Sequence, residues 1–510
     1  MFSRSLHALL LCSLGLAAAD WLTFGGDPSR SGWQKDEETL NVSNVKDLKI
    51  EWQLKLDNQP KEMYSLTVPV SMNPVITPRG FKELLFVAGT SDELFAIDAD
   101  SGKIFWKKKF TVVGESKQKP HWLCPVALNA TPVIDKKSRT VYVVSSDGYL
   151  HSLNVVNGED NAPPKAFVPP FSKPYSLNLY QGMLFAATGQ GCGGAKNGVF
   201  AMDLNKPDRP VTEFRSTTTG GAGIWGRAGV AIGSNGRVYA ETGDGPYDVA
   251  AGKFADTFLA LDAKTMKLAD YYTPANRAWI TKKDLDMGCI SPVFFKYGKW
   301  DLLAGGGKEG VLFLLDANSL GGADHRTPLY RSKLITNEDV DFAGRGFWGA
   351  ISTWEDKDGT RWLYLPAYGP PASTAPKFAH SYGETPNGSI MAFKVEEVNG
   401  KPEPVAVWNS VDMKMPEPVV IANGVVFALS NGEYVRQVDE SGRILTSADR
   451  IAKKTHATLY ALDAKTGKVL YSSGNQLNSW GHFSGLSLAN GRVYVVTYDS
   501  TVHAFSLGQQ

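Results

Sequence analysis

Apolar and polar positions alternate with a period of two along most of the chain, in short runs closed by turn residues. Runs such as "ELLFVAG" (83–89), "TVYVVSSDG" (140–148), "RVYAETGDG" (237–245), "VVFALSNGE" (425–433) and "RVYVVTYDS" (492–500) read as strands, because successive strand side chains point to opposite faces. Most are followed by one recurring phrase. Its fullest copy is "YALDAKTGKVLYSSG" (460–474), with close variants at 95–109 and 259–272. Here "YALD" and "KVLY" continue the alternation. Between them Asp463 bonds its own backbone and Gly467 accommodates a positive φ. The phrase is a hairpin, read as the inner hairpin of a larger unit.

Eight copies or relics of the phrase are centred on Ala96, Ser152, Ala201, Ala260, Leu314, Ala392, Ala461 and Ala504, spaced by 43 to 78 residues. The wide gaps hold loop insertions at 369–386 and 433–454. An all-β repeat of this length is a propeller blade of four antiparallel strands, which cannot bury its faces alone. The expected fold is all-β: an eight-bladed β-propeller of four-stranded antiparallel blades, one domain over residues 20–510 with few, short helices. "KIEWQLKL" (49–56) is expected to add a strand to the last blade and close the ring, removing an exposed sheet edge.

Composition changes this picture little. Hydrophobic residues make up 43% and aromatics 11%, enough for a large core. A formal net charge of +1 gives no basis for binding nucleic acid or an anionic membrane. Residues 1–19 read as a signal peptide: Arg4, an apolar run over 8–16, then Ala17-Ala18-Ala19. That run is too short for a permanent membrane span, and Leu11 before Cys12 argues against a lipid anchor. The expectation is an exported protein, periplasmic or extracellular, with no membrane span. Cys124, Cys192 and Cys289 remain; an odd count leaves at least one thiol unpaired, and the pairing is open.

The opening "DWLTFGGDPSRSGW…NVSNVKDLKIEWQLKL" (20–56) and the repeated "ALDAKTGK" phrases resemble the quinoprotein alcohol dehydrogenases. The resemblance implies an eight-bladed propeller holding pyrroloquinoline quinone (PQQ), usually with calcium, at the ring axis. It also implies that outer-strand aromatics, here Trp52, Trp106 and Trp408, dock on the neighbouring blade. In "GGAGIWGRAGVAIGSNGRVYAETGDGPYD" (220–248) it places Trp225 under the cofactor, with Arg227 beside it, and Asp244 where the family has a metal-binding Asn. An indole face suits a planar quinone, and a carboxylate oxygen suits Ca²⁺. In "KKDLDMGCISPVFF" (282–295) Asp284 is the counterpart of the catalytic base and a second candidate metal ligand, with Asp286 its competitor. Lys308 in "GGGKEG" matches the basic residue at the quinone oxygens. Trp348 and Trp480 recur in the same Trp-Gly setting as Trp225, as cofactor-facing candidates accompanied by Arg345 and His482.

The chain departs from the family in places. The region 121–134 has one cysteine where the family has an adjacent pair, and the Arg near that pair has no counterpart. No carboxylate occurs in "ATGQGCGGAKNG" (187–198), where a metal-binding Glu is expected; this weakens the expectation for calcium, whose affinity follows ligand charge. No C-x-x-C-H occurs, so no haem is expected and the electron acceptor is a separate molecule. The implied activity is oxidation of a small-molecule or polymeric alcohol; "GGAGIW" and "DLDMGCISPV" resemble the haem-free polymer-alcohol branch. The missing Glu points the other way, to a non-catalytic binding or assembly scaffold. No GxSxG favours a hydrolase.

Overall fold

The computed structural model describes residues 19–508. Residues 1–18, which hold Cys12 and most of the expected signal peptide, and residues 509–510 lie outside the described residues. Eight β-sheets follow one another in sequence order as blades, and two small two-stranded sheets accompany them. The first blade is Val70–Thr77, Gly80–Gly89, Glu93–Asp98 and Lys103–Lys109. Blades two to seven have their first strands at Val133–Asp135, Lys173–Pro174, Ala231–Ile232, Val293–Tyr297, Gly346–Phe347 and Val420–Ala422. The eighth is built from Leu486–Ala489, Arg492–Thr497 and Thr501–Ser506, with Lys49–Lys55 as its outermost strand. That strand pairs antiparallel, Trp52 opposite Ala504, so the N-terminal segment closes the ring as expected. Among the described residues no helix is long and apolar enough to cross a membrane.

The core lies between blades. Eight hydrophobic clusters each join adjacent blades, from Phe86 of blade one with Val143 of blade two round to Phe427 of blade seven with Val495 of blade eight. The alternation in sequence supplies this directly, since each strand offers one apolar set to each neighbouring blade.

One expectation is corrected. The phrase is an outer hairpin. Thr458–Asp463 and Val469–Ser472 are the third and fourth strands of blade seven, and a fourth strand such as Lys103–Lys109 has no fully buried position. The phrase does a structural job there. Trp408, on the outer strand of blade six, donates its indole N–H to the Ala464 carbonyl at 2.9 Å. Its ring lies where a Cβ on Gly467 would sit, 2.6 Å from the nearest ring atom, so only glycine seats the indole. Trp52 docks likewise on Ala99 and Gly102, and Trp106 on Val155 and Gly158. In blade four Met266 replaces the glycine, and on the outer strand of blade three Thr212, opposite Ala201, stands where the tryptophan would be.

Two short α-helices lie between or beyond the blade strands. Arg277–Lys282 leads from blade four toward blade five, and Ser447–Ala452, capped by Thr446 and Asp449, sits in the blade-seven insertion. His380 lies exposed on an added edge strand of blade six.

Candidate active site

A cavity of about 230 Å³ opens where the blades meet around the axis, lined from segments of blades one to eight. Among its lining residues are Trp225, Asp244, Asp284, Asp286, Lys308 and Trp348, so the segments singled out in the sequence converge.

Each is held by local backbone. The helix Arg277–Lys282 ends with Leu285 N–H donating to the Ile280 carbonyl at 3.0 Å and Asp284 N–H to Thr281 at 3.3 Å. Asp284 takes the left-handed position (φ 54°) that glycine usually fills at a helix C-terminus. This turn aims both acids of "DLD" at blade five. Opposite them, Gly305-Gly306-Gly307 lets the chain pass closely: a Cβ at Gly307 would lie 2.9 Å from the Asp286 carbonyl oxygen. Lys308 N–H donates to that carbonyl at 3.2 Å. The Lys308 ammonium then lies 2.7 Å from Asp286 Oδ2 and 3.0 Å from Asp284 Oδ1. Lys308 Nζ is 5.4 Å from the ring centroids of both Trp225 and Trp348, which meet edge to face.

The electrostatics follow from burial. Asp286 is almost wholly buried, and desolvation pushes its carboxyl up to about 7 despite the Lys308 charge, with Asp284 and Asp244 adding to the rise. Burial works against the Lys308 charge, but Asp286 and Asp284 outweigh it and hold the ammonium above its ordinary range. Asp244 is raised by burial and by Asp284. Oxygens of Asp244, Asp284 and Asp286 lie within 4.8 Å of one another, and Asp286 Oδ1 has no hydrogen-bond partner. Glu241 is not a cavity residue: it lies fully buried and accepts from Gly306 N–H at 3.2 Å.

The remaining candidates separate. Arg227 borders only a narrow inner recess, its guanidinium held by Glu417 and by the Tyr368 hydroxyl at 2.5 Å. Trp480 does not reach the cavity; it is fully buried and stacks on Tyr498 at 4.6 Å. Its neighbour His482 does line the cavity, whereas Arg345 borders a separate surface depression. Cys124 and Cys192 are disulfide-bonded beside the cavity-lining Trp122, Leu123 and Gln190, and Cys289 is a buried thiol.

Sequence reasoning missed one pole of the site. Lys173, Tyr64, Tyr175 and Arg450 line the same cavity, and Glu433 anchors Arg450 at 2.5 Å and His482 Nδ1 at 2.7 Å. Nothing in "FSKPYS" (171–176) marks Lys173 as special.

Residues 21–182 match the family model for the PQQ β-propeller domain of glucose, ethanol and alcohol dehydrogenases. The quinohemoprotein alcohol dehydrogenase of Comamonas testosteroni superposes with a TM-score of 0.59 over 96% of this chain and 81% of its own, at 15% identity. The fold is that of the quinoprotein alcohol dehydrogenases. A second quinohemoprotein alcohol dehydrogenase, from Pseudomonas putida HK5, gives 0.60 at 14% identity over the same shares of the two chains. A europium-containing methanol dehydrogenase gives 0.62 at 12% identity, covering 96% of this chain and 98% of its own. No curated protein matches the chain. In this propeller the two indoles, the acid trio and Lys308 line the cavity where the blades meet.

Proposed function

We propose that the protein is an exported PQQ-dependent dehydrogenase that oxidises an alcohol, small or polymeric, and passes the electrons to a separate acceptor. The observation that carries this reading is the buried Asp286–Lys308 pair set against two indoles in the axial cavity. Export through residues 1–19 to the periplasm or beyond, and a single propeller domain over 20–510, belong to the same reading.

The residues fit the implied groups. Asp244, Asp284 and Asp286 set three carboxylates against the one ammonium of Lys308, an excess of two negative charges when all are ionised. That suits a divalent cation such as Ca²⁺, and the third acid offsets the carboxylate missing near Gln190. Trp225 would carry the flat face of the quinone, with Trp348 at its edge.

When bound, the quinone supplies the hydride acceptor. The chain's own residues do the rest. Asp286 accepts the hydroxyl proton at Oδ1; a carboxyl near 7 is poised for general-base work at neutral pH. The buried, unpartnered Oδ1 supports Asp286 over Asp284 as the base. Asp284, half-exposed, holds Lys308 and joins Asp244 around the metal position. Lys308 would supply a fixed positive charge to a bound quinone, which would stabilise developing negative charge.

The test is alcohol-dependent dye reduction by purified protein given PQQ and Ca²⁺. Wild type should turn over, and Asp286→Asn should lose about 10²–10⁴-fold in kcat. Quinone-loaded protein inert toward a broad alcohol panel would favour the non-catalytic scaffold, the reading that Gln190 in place of a carboxylate supports.

A further inference from the structure

The second pole of the cavity holds a buried lysine amine without an anion. Lys173 begins blade three, its side chain is buried (2% exposed) and it lines the cavity. Its Nζ donates to the Tyr64 hydroxyl and to the Leu123 carbonyl at 2.8 Å, and lies 4.5 and 5.0 Å from the ring centroids of Tyr64 and Tyr175. Among the described residues no acid is paired with it. The neighbouring cations differ: Arg227 has Glu417, Arg450 has Glu433, and Lys308 has two aspartates. Arg30, also buried without an ion pair, is satisfied by the carbonyls of Phe24, Leu177 and Val230 and borders no cavity described above. Lys173 has a third donor to give. Tyr64 accepts from Lys173, and its own hydroxyl hydrogen has no protein acceptor among the described residues. His482, packed edge-on against Tyr64 at 4.6 Å, presents an unpartnered buried Nε2 to the same space.

We propose that Lys173 and Tyr64 form a carboxylate-recognition site, making the cavity's ligand a flat aromatic molecule whose carboxylate accepts from Nζ and from the Tyr64 hydroxyl. The ligand's identity rests on the cofactor reading; the site itself does not. Lys173 supplies the positive charge that the sequence lacks beside Cys124. It comes from a different segment, and the Leu123 carbonyl ties it to that wall. An unpaired buried ammonium is costly unless a ligand anion neutralises it. Burial accordingly pushes the free Lys173 well below the ordinary lysine range. Three further groups shape this pole. Burial holds His482 neutral, down to about 4, and the Arg450 and Arg227 charges are matched by Glu433 and Glu417. Lys173 is thus the group that takes up a proton when an anion binds.

The test is isothermal titration of the full protein with Ca²⁺ present, in two buffers of different ionisation enthalpy. The probes are PQQ, its trimethyl ester and benzene-1,3,5-tricarboxylate. Wild type should bind PQQ with uptake of up to one proton, and Lys173→Met should bind it roughly tenfold to a hundredfold more weakly with no uptake. Esterification should weaken binding to wild type and change little in the variant, which a merely structural lysine would not produce. Tyr64→Phe, which deletes only a hydroxyl, serves if Lys173→Met does not fold. Equal PQQ affinity with and without Lys173, and no proton uptake, overturns the site and leaves the cofactor reading standing. Lys173-dependent binding of the tricarboxylate without PQQ binding supports the site and overturns the cofactor reading. Failure of every probe overturns both.

Discussion

At the scale of single residues, burial without a counter-charge separates the acids that hold the fold from those that face the cavity. Asp256 belongs to the first kind. It is fully buried, accepts from the Thr281 hydroxyl and from Met287 N–H, and braces the turn that carries Asp284 and Asp286. Burial pushes its carboxyl up to about 8, with the Asp286 charge adding, from an ordinary 3.8. The folded protein holds this proton more tightly than the unfolded chain does. The stabilisation is complete below pH 3.8 and is lost as pH rises toward 8, at about 1 kcal/mol per pH unit. Asp256→Asn should flatten that decline in denaturant unfolding run across this range. Parallel stability curves for variant and wild type would show that Asp256 is ionised in the fold.

At the scale of the element, the repeat phrase is a docking seat. Trp408 is fully buried on Ala464 and Gly467, whereas Trp106 makes the same contact half-buried. Trp408→Ala should therefore cost about 3–5 kcal/mol, and Trp106→Ala distinctly less, read from denaturant midpoints. Equal, small shifts in both would mean that blade-to-blade adhesion resides in the strand clusters alone. The helix Arg277–Lys282 and the glycine run before Lys308 are the other elements that matter, because they press "DLD" against Lys308. The sequence marks the glycines but not the left-handed Asp284, since an aspartate gives no sign of its φ.

At the scale of the molecule, what was legible is what repeats. Blade number, strand count and the closing role of residues 49–55 follow from period-two alternation and the recurring phrase. The position of the phrase within a blade was misread as inner, because alternation shows which faces are buried and not which strand borders the axis. The candidate site was legible only as neighbours: Trp225, Asp244, Asp284, Lys308 and Trp348, picked out by resemblance to a known motif, line one cavity. Trp480 shares the motif yet turns onto Tyr498, because the spelling of a repeat does not set the direction of every side chain. Lys173 and the Cys124–Cys192 bond were illegible for another reason: burial without an anion and proximity across the ring are properties of the folded chain. The central claim is that the acid trio, Lys308 and the indoles make one cofactor cavity at the axis. Its most direct test is a fluorescence titration of purified protein with PQQ, with and without Ca²⁺. Saturable tryptophan quenching at one PQQ per chain is expected, strengthened by Ca²⁺ and lost in Trp225→Leu. Absence of quenching at micromolar PQQ, or quenching indifferent to both Ca²⁺ and Trp225, contradicts it.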